Sequence, residues 1–340
     1  MDGQSNYFIG IDVSKPFFDA SLLIVTNHQK GVIETEHFIN SPEGIKSFDK
    51  WLKSKKVPFD PATLLVLENT GIYHRLLWSY CTEKKLPVHI GNAAHIKWSF
   101  GIARGKNDKI DSIRLCNYAF KEADTLKSTP ALNPVLLYLK DLMTARTKLL
   151  SQLNSTKVYI KELKAVNSKD VQKIMEQAHR QALEGIKASI KQLEMRITKL
   201  IEENNDLKTN HELLITVPGI GHLTAIYMIC CTNNFAGNIS GKQLACYAGV
   251  VPFEYTSGIS VKGRSRVHSM ANKDLKKMLH LCALTTIRHY SEFKHYYERK
   301  KMEGKHSMSI LNAIRNKIVL RAVAVIKKQR PYVDSFQKAT

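Results

Sequence analysis

The sequence predicts an α/β N-terminal domain, a long helical connector and a mainly α C-terminal domain. Three observations lead there. Short β-rich runs alternate with amphipathic stretches over roughly the first 130 residues, about seventy residues then carry helical periodicity with almost no Gly, and apolar helical runs broken by Gly turns follow. At 340 residues the chain exceeds the usual size of one core, which favours two domains and a connector. The expected boundaries are 1–130, 131–208 and 209–335.

Tyr7 to Ser14, Phe18 to Val25 and Val32 to Ile39 read as three strands in series, with Asn27, His28 and Gly31 as turn residues before the third. Ser41-Pro42-Glu43-Gly44 then opens a helix, because Ser at the N-cap and Pro at the first helical position suit the unpaired N–H groups there. That helix should fade near Lys56-Val57-Pro58. Leu64 to Leu67 is an apolar run ending in Glu68, Ile72 to Lys84 is helical in pattern, and Pro87 to Ile90 is a further strand, giving the order βββ-α-β-α-β. Asn133 to Asn205 predicts one or two long helices, either a coiled coil holding subunits together or an intramolecular hairpin. Val217-Pro218-Gly219-Ile220-Gly221 joins two apolar helical runs in a tight turn that is helix-hairpin-helix-like, a device that holds a DNA phosphate on exposed amides, or else a plain turn between packed helices.

Four acids stand out by position. Asp12 lies in an apolar strand where an unpaired carboxylate is costly to bury, and Glu68 ends the fourth strand. An RNase H-like sheet would set those two strands side by side. Asp108 and Asp111, three apart at the start of the helical stretch Lys106 to Ala119, share one face. Converging carboxylates without Cys or His ligands suit Mg²⁺ or Mn²⁺, and a pair of such ions serves in-line phosphodiester chemistry. Taken singly, each acid also has a plain structural role: Asp12 bonding neighbouring amides, Glu68 to Gly71 a capped turn, and Asp108 with Asp111 favouring a helix N-terminus.

The net charge is +21, and residues 256–330 hold 18 Lys and Arg against 4 Asp and Glu, so two-thirds of it sits in the last quarter. Such an excess fits a polyanion, since each neutralised phosphate releases counterions. Lys262, Arg264, Arg266, Lys273, Lys276 and Lys277 form a run suited to phosphate positioning, or to a solvated face. The six cysteines lack CxxC or zinc spacing and read as buried thiols of a reducing compartment. With neither a leader pattern nor a membrane-length apolar run, the expected location is cytoplasmic and nucleoid-associated.

Phe8 to Lys15 (FIGIDVSK), Leu67 to His74 (LENTGIYH) and Gly105 to Leu115 (GKNDKIDSIRL) resemble the DEDD transposase domain of the insertion-sequence-110 family. Val217 to Ala225 (VPGIGHLTA) and Gln243 to Val267 resemble that family's second transposase domain. The resemblance implies an RNase H/RuvC-like catalytic domain, a coiled-coil dimerisation region and a smaller C-terminal domain. It carries the metal-binding acids onto Asp12, Glu68, Asp108 and Asp111, and a nucleophilic serine onto Ser257. It further implies donor and target DNA, a structured non-coding guide (bridge) RNA, and a homo-oligomer, a dimer or a tetramer built as a dimer of dimers.

Thr256-Ser257-Gly258 reads as a loop, with Ser260, Ser265, Ser269 and Tyr255 as rival nucleophiles nearby. Two other functions compete with the recombinase. A Holliday-junction-type endonuclease would share the acids but use water as nucleophile, and a nucleic-acid binder would keep the charge and dispense with the acids.

Overall fold

The alternating run of the first strand organises the N-terminal part. In the computed structural model, β1 (Ser5–Val13) pairs antiparallel with β2 (Phe17–Thr26), which is followed by β3 (Gln29–Lys30) and β4 (Glu34–Ile39). After α1 (Pro42–Ser54) come β5 (Thr63–Glu68), α2 (Arg75–Lys84), β6 (Val88–Gly91), α3 (Ala93–Ser99) and α4 (Asp108–Lys121). The structure describes residues 5–99, 108–166, 168–257, 261–267 and 270–333, without the side chains of residues 108, 164, 166, 254–257 and 261–266.

The sheet order is β3-β2-β1-β5-β6, with β4 also on β2, and β1, β5 and β6 run parallel. Asn27 and His28, both at positive φ, make the tight turn from β2 into β3, as Asn-rich hairpin turns require. Ser41 caps α1 by accepting from the Gly44 amide at 3.2 Å, with Pro42 in the first turn as its missing N–H allows. Two boundaries differ from expectation. The third strand proper begins at Glu34, and α2 begins at Arg75, after a turn over residues 71–74 that opens on Gly71 at φ 71.

One face of the sheet packs Ile9, Ile11, Leu65 and Leu67 against Phe48, Leu52 and Leu77 of α1 and α2. The other packs Phe8 and Val66 against Leu115, Cys116 and Ala119 of α4. Gly10 is what allows α4 to lie so close: a Cβ there would overlap the backbone of Ser112 and Cys116.

Contacts divide the chain into residues 1–132 and 133–340. The second unit opens with α5 (Pro134–Val166) and α6 (Lys169–Glu202), two long helices packed on each other. Tyr159 stacks edge-on with His179, Arg146 bridges Glu194 at 2.7 Å, and Arg196 lies over the Tyr138 ring. Partners on α6 rise in number as those on α5 fall, so the pair is an antiparallel hairpin within one chain.

Next come α7 (Asn205–Ile215), α8 (His222–Cys231), α9 (Gly241–Tyr247), the ribbon of β7 (Phe253–Ser257) and β8 (Val261–Arg266), then α10 (Lys273–His289), α11 (Ser291–Met302) and α12 (Ser307–Lys328). The most apolar helix, α8, and the central α12 are largely buried, so the core is helical. Gly219, at φ 82, turns the chain between α7 and α8 so tightly that an added Cβ would lie 2.6 Å from the Cys282 carbonyl of α10. Among the described residues no helix is long and apolar enough to cross a membrane. All six cysteines are free; Cys81, Cys116, Cys230 and Cys282 are buried as expected, whereas Cys231 is half-buried and Cys246 exposed.

Candidate active site

Register sets the first two acids. β1 and β5 pair in parallel up to Ile11 opposite Leu67, and one further step puts Asp12 beside Glu68. Both are half-buried, at the C-terminal ends of adjacent strands, where open α/β sheets bind their ligands. Alternation puts them on the same face as Phe8, Gly10 and Val66, the face that α4 covers.

The helix runs antiparallel to β1. The Cys116 thiol donates to the Phe8 carbonyl at 3.1 Å, and Ser112 shares a hydrogen bond of 2.8 Å with Ser21, the residue opposite Gly10. Four residues of helix climb about 6 Å and two of strand about 6.7 Å. The first residue of α4, Asp108, therefore falls level with Asp12 on the sheet-facing stripe; its side chain, with most of the motif segment before it, is outside the described residues. Asp111 is half-buried and held by Arg114 Nη1 at 2.7 Å. Among the described residues no group of three or more His, Cys, Asp or Glu gathers closely enough to hold a metal.

Three residues at this edge were not singled out from sequence. Asp19 lies opposite Asp12 in the register, and like charges so placed repel, yet its carboxylate is engaged by His37 Nδ1 at 3.1 Å. The third is Asn40. Its amide nitrogen donates to the Ser14 carbonyl at 2.9 Å and the Tyr73 carbonyl at 3.0 Å, tying the loop after the strand of Asp12 to the loop after the strand of Glu68. Strand alternation flags Asp19 once β2 is recognised; Asn40, between a strand and a helix cap, gives no local signal.

The donor chemistry fits a hard divalent cation: carboxylate oxygens at converging strand ends. The Asn40 Oδ1 and Thr70 Oγ1 atoms add to that fit, since both are buried oxygens without a hydrogen-bond partner in the loops flanking the acids.

In the second unit Ser257 ends β7 and pairs with Val261 of β8. The expected loop at residues 256–258 is thus strand through Ser257, as the β-forming run Phe253, Tyr255, Thr256 favours. Gly258, Ser260 and Ser269, and the side chains of Tyr255, Ser257, Lys262, Arg264, Ser265 and Arg266, lie outside the described residues. Lys273 and Lys277 are exposed on the first turns of α10, and Lys276 is half-buried.

Two family models match the chain in the order of its units. The DEDD-type IS110 model, described as a transposase, covers residues 9–164, and the model described as the transposase IS116/IS110/IS902 family covers residues 211–298. The chain belongs to the IS110 family of transposases. As an IS110-family protein it is an enzyme, a DNA transposase or recombinase, and its mixed sheet is the RNase H-like fold of a divalent-metal-dependent DEDD domain.

Among similar proteins, the pilin gene-inverting proteins of Moraxella bovis and Moraxella lacunata are each 28% identical over 97% of this chain and 98% of their own length. An insertion element IS110 protein of Streptomyces coelicolor is 28% identical over 37% of this chain and 30% of its own. The substrate of an IS110-family transposase is DNA.

Proposed function

We propose that this transposase excises and inserts a mobile element by cleaving and rejoining DNA strands through a covalent phosphoserine at Ser257. The observation that carries the reading is the register that sets Asp12 beside Glu68 beneath the start of α4, where Asp108 is the first helical residue. In this reading Asp12, Glu68, Asp108 and Asp111 hold Mg²⁺ or Mn²⁺, with Asp111 exchanging its bond to Arg114. Bound there, divalent cations stabilise charge on the attacking and leaving oxygens.

The serine Oγ forms the new bond to phosphorus, its proton passing to a neighbouring base. The P–O bond to the departing deoxyribose oxygen breaks, and that oxygen takes up a proton; the reverse step rejoins a strand and frees the serine. Lys262, Arg264, Arg266, Lys273, Lys276 and Lys277 position backbone phosphates. The exposed N-cap Gly221 supports a helix-hairpin-helix-like phosphate contact at α8.

Residues 1–130 act as the catalytic domain, 131–208 as the connector and 209–335 as the serine-bearing domain. The long helices α5 and α6, with Tyr159 and Met195 exposed, support subunit association as a dimer or a dimer of dimers, in addition to their packing within one chain. A structured guide RNA chooses donor and target by base pairing, leaving the protein to read backbone and shape. The enzyme works on the nucleoid in the cytoplasm.

A second reading, a structure-specific endonuclease using water, is favoured by one fact: the acids and Ser257 belong to different compact units, and the acids alone suffice for hydrolysis. Ser257→Ala and Asp12→Asn separate the two. Under the proposal both variants lose strand cleavage by more than about two orders of magnitude, and the wild type leaves a protein–DNA adduct that resists denaturation. Continued cutting by Ser257→Ala, without adduct, sinks the serine mechanism and leaves the hydrolytic one.

A further inference from the structure

The geometry points to Arg315 and His280 as a built site for a phosphate of duplex DNA, beneath the segment that leads into the Ser257 ribbon.

Arg315 of α12 is 4% exposed. A guanidinium can only donate, so its Nη2 contact of 3.0 Å with His280 Nδ1 makes that ring nitrogen the acceptor and leaves the His280 proton on Nε2. His280 is therefore held neutral, and burial and the adjacent guanidinium both push its pKa down. Among the described residues the pair has no internal counter-charge. Arg315 Nε is buried without a hydrogen-bond partner, and among the described residues no carboxylate lies within ion-pair distance of the guanidinium.

The neighbouring elements explain that. Neither α8, α9 nor α12 contains an acid, Asp274 of α10 is paired with Lys277 at 3.6 Å, Glu292 of α11 is paired with Arg321, and Asp206 and Glu212 of α7 and Glu298 of α11 are exposed, away from the buried guanidinium. A buried cation without a partner is costly, and burial accordingly lowers the pKa of Arg315. An external anion offsets that cost, and the planar fork of Arg suits phosphate oxygens. His280, half-buried, is the member of the pair that solvent reaches, and its Nε2–H adds a donor.

Position selects the ligand. Asn312, one turn before Arg315, donates to the Val250 carbonyl at 2.8 Å. Lys276, one turn before His280, lies 3.7 Å from where a Gly249 side chain would start. Both members of the pair thus sit within a helical turn of residues 249–250, just ahead of β7, in the most basic part of a DNA recombinase. A DNA phosphodiester is the anion the enzyme brings there. This inference stands apart from the carboxylate reading and does not need it.

The test uses the full-length chain, Arg315→Met, and two labelled probes of equal length, a DNA duplex and an RNA duplex, titrated between roughly 50 and 200 mM salt. Met keeps the length and apolar stem of Arg but removes its charge. The variant should melt at the wild-type temperature or above it, bind duplex DNA about tenfold more weakly, and show a log–log salt slope shallower by about one. An unchanged DNA slope overturns the proposal, as does a slope that changes for RNA alone. A variant that melts lower or fails to fold also overturns it, because the guanidinium would then be serving the fold itself.

Discussion

In residues 1–132 Asp12 and Glu68 ride on β1 and β5, central strands of a six-stranded sheet packed on both faces. In residues 133–340 the proposed nucleophile ends β7, which pairs with β8 in a two-stranded ribbon that has no further strand beside it among the described residues. Isolated ribbons of that kind are marginal in water, whereas a central strand is fixed by neighbours on each side. The two proposed reactive groups are thus held by unequal means: Asp12 and Glu68 by hydrogen-bonded register and packing on both faces of the sheet, Ser257 by pairing with one neighbouring strand.

The comparison breaks first at Gly10. If α4 lies where it does because residue 10 has no side chain, Gly10→Ala must push the helix off the sheet. The expected cost is about 1–3 kcal/mol or more, with strand cleavage lost; amide exchange should rise over residues 108–121 and stay unchanged over α12. Normal protection of α4 in an active variant would refute the packing argument.

Asn40 sharpens the comparison. Its amide joins the loops after the two acid-bearing strands without being one of the acids. Asn40→Ala should lower cleavage about 10- to 100-fold and raise the divalent-metal concentration needed for half-maximal rate, with duplex affinity unchanged. An unaltered metal requirement would reduce Asn40 to a loop staple.

The smallest effect belongs to the helical unit and is read through pH. His211 is buried against His222 with ring centroids 4.6 Å apart, and burial lowers both pKa values, the second histidine adding to the shift at His211. A histidine with a depressed folded pKa contributes stability that is full above the unfolded value, near about 6.5, and lost as pH falls below it, because the unfolded chain then takes up more protons. The melting temperature should therefore drop between about pH 7 and pH 5.5, and His211→Gln should flatten that limb. A wild-type profile that is level across this range contradicts the assignment.

Much of the sheet was legible because its signals are local. Runs of β-formers marked β1 and β2, a continuous apolar run marked β5, Ser41-Pro42 marked the cap of α1, and acids in or closing apolar runs marked Asp12 and Glu68. What escaped was relational. Asp19 matters only once β2 is laid beside β1, and Arg315 stands out only when Asp274 of α10 and Glu292 of α11 are seen paired elsewhere. Periodicity could not decide between a coiled coil and a hairpin for α5 and α6, because both bury the same stripe. The ribbon was missed for a different reason: Ser-Gly reads as a turn, and the turn signal masked the β-formers before it.

The bonds from Ser21 to Ser112 and from Phe8 to Cys116 close loops of 91 and 108 residues. Loops of that length form late, and during synthesis the hairpin of β1 and β2 leaves the ribosome long before α4 exists. A nascent chain that stalls in between has its first strand but no roof over it. Under the proposed mechanism, Asp12 and Glu68 therefore gain the start of α4 beside them only once the N-terminal unit has been made in full.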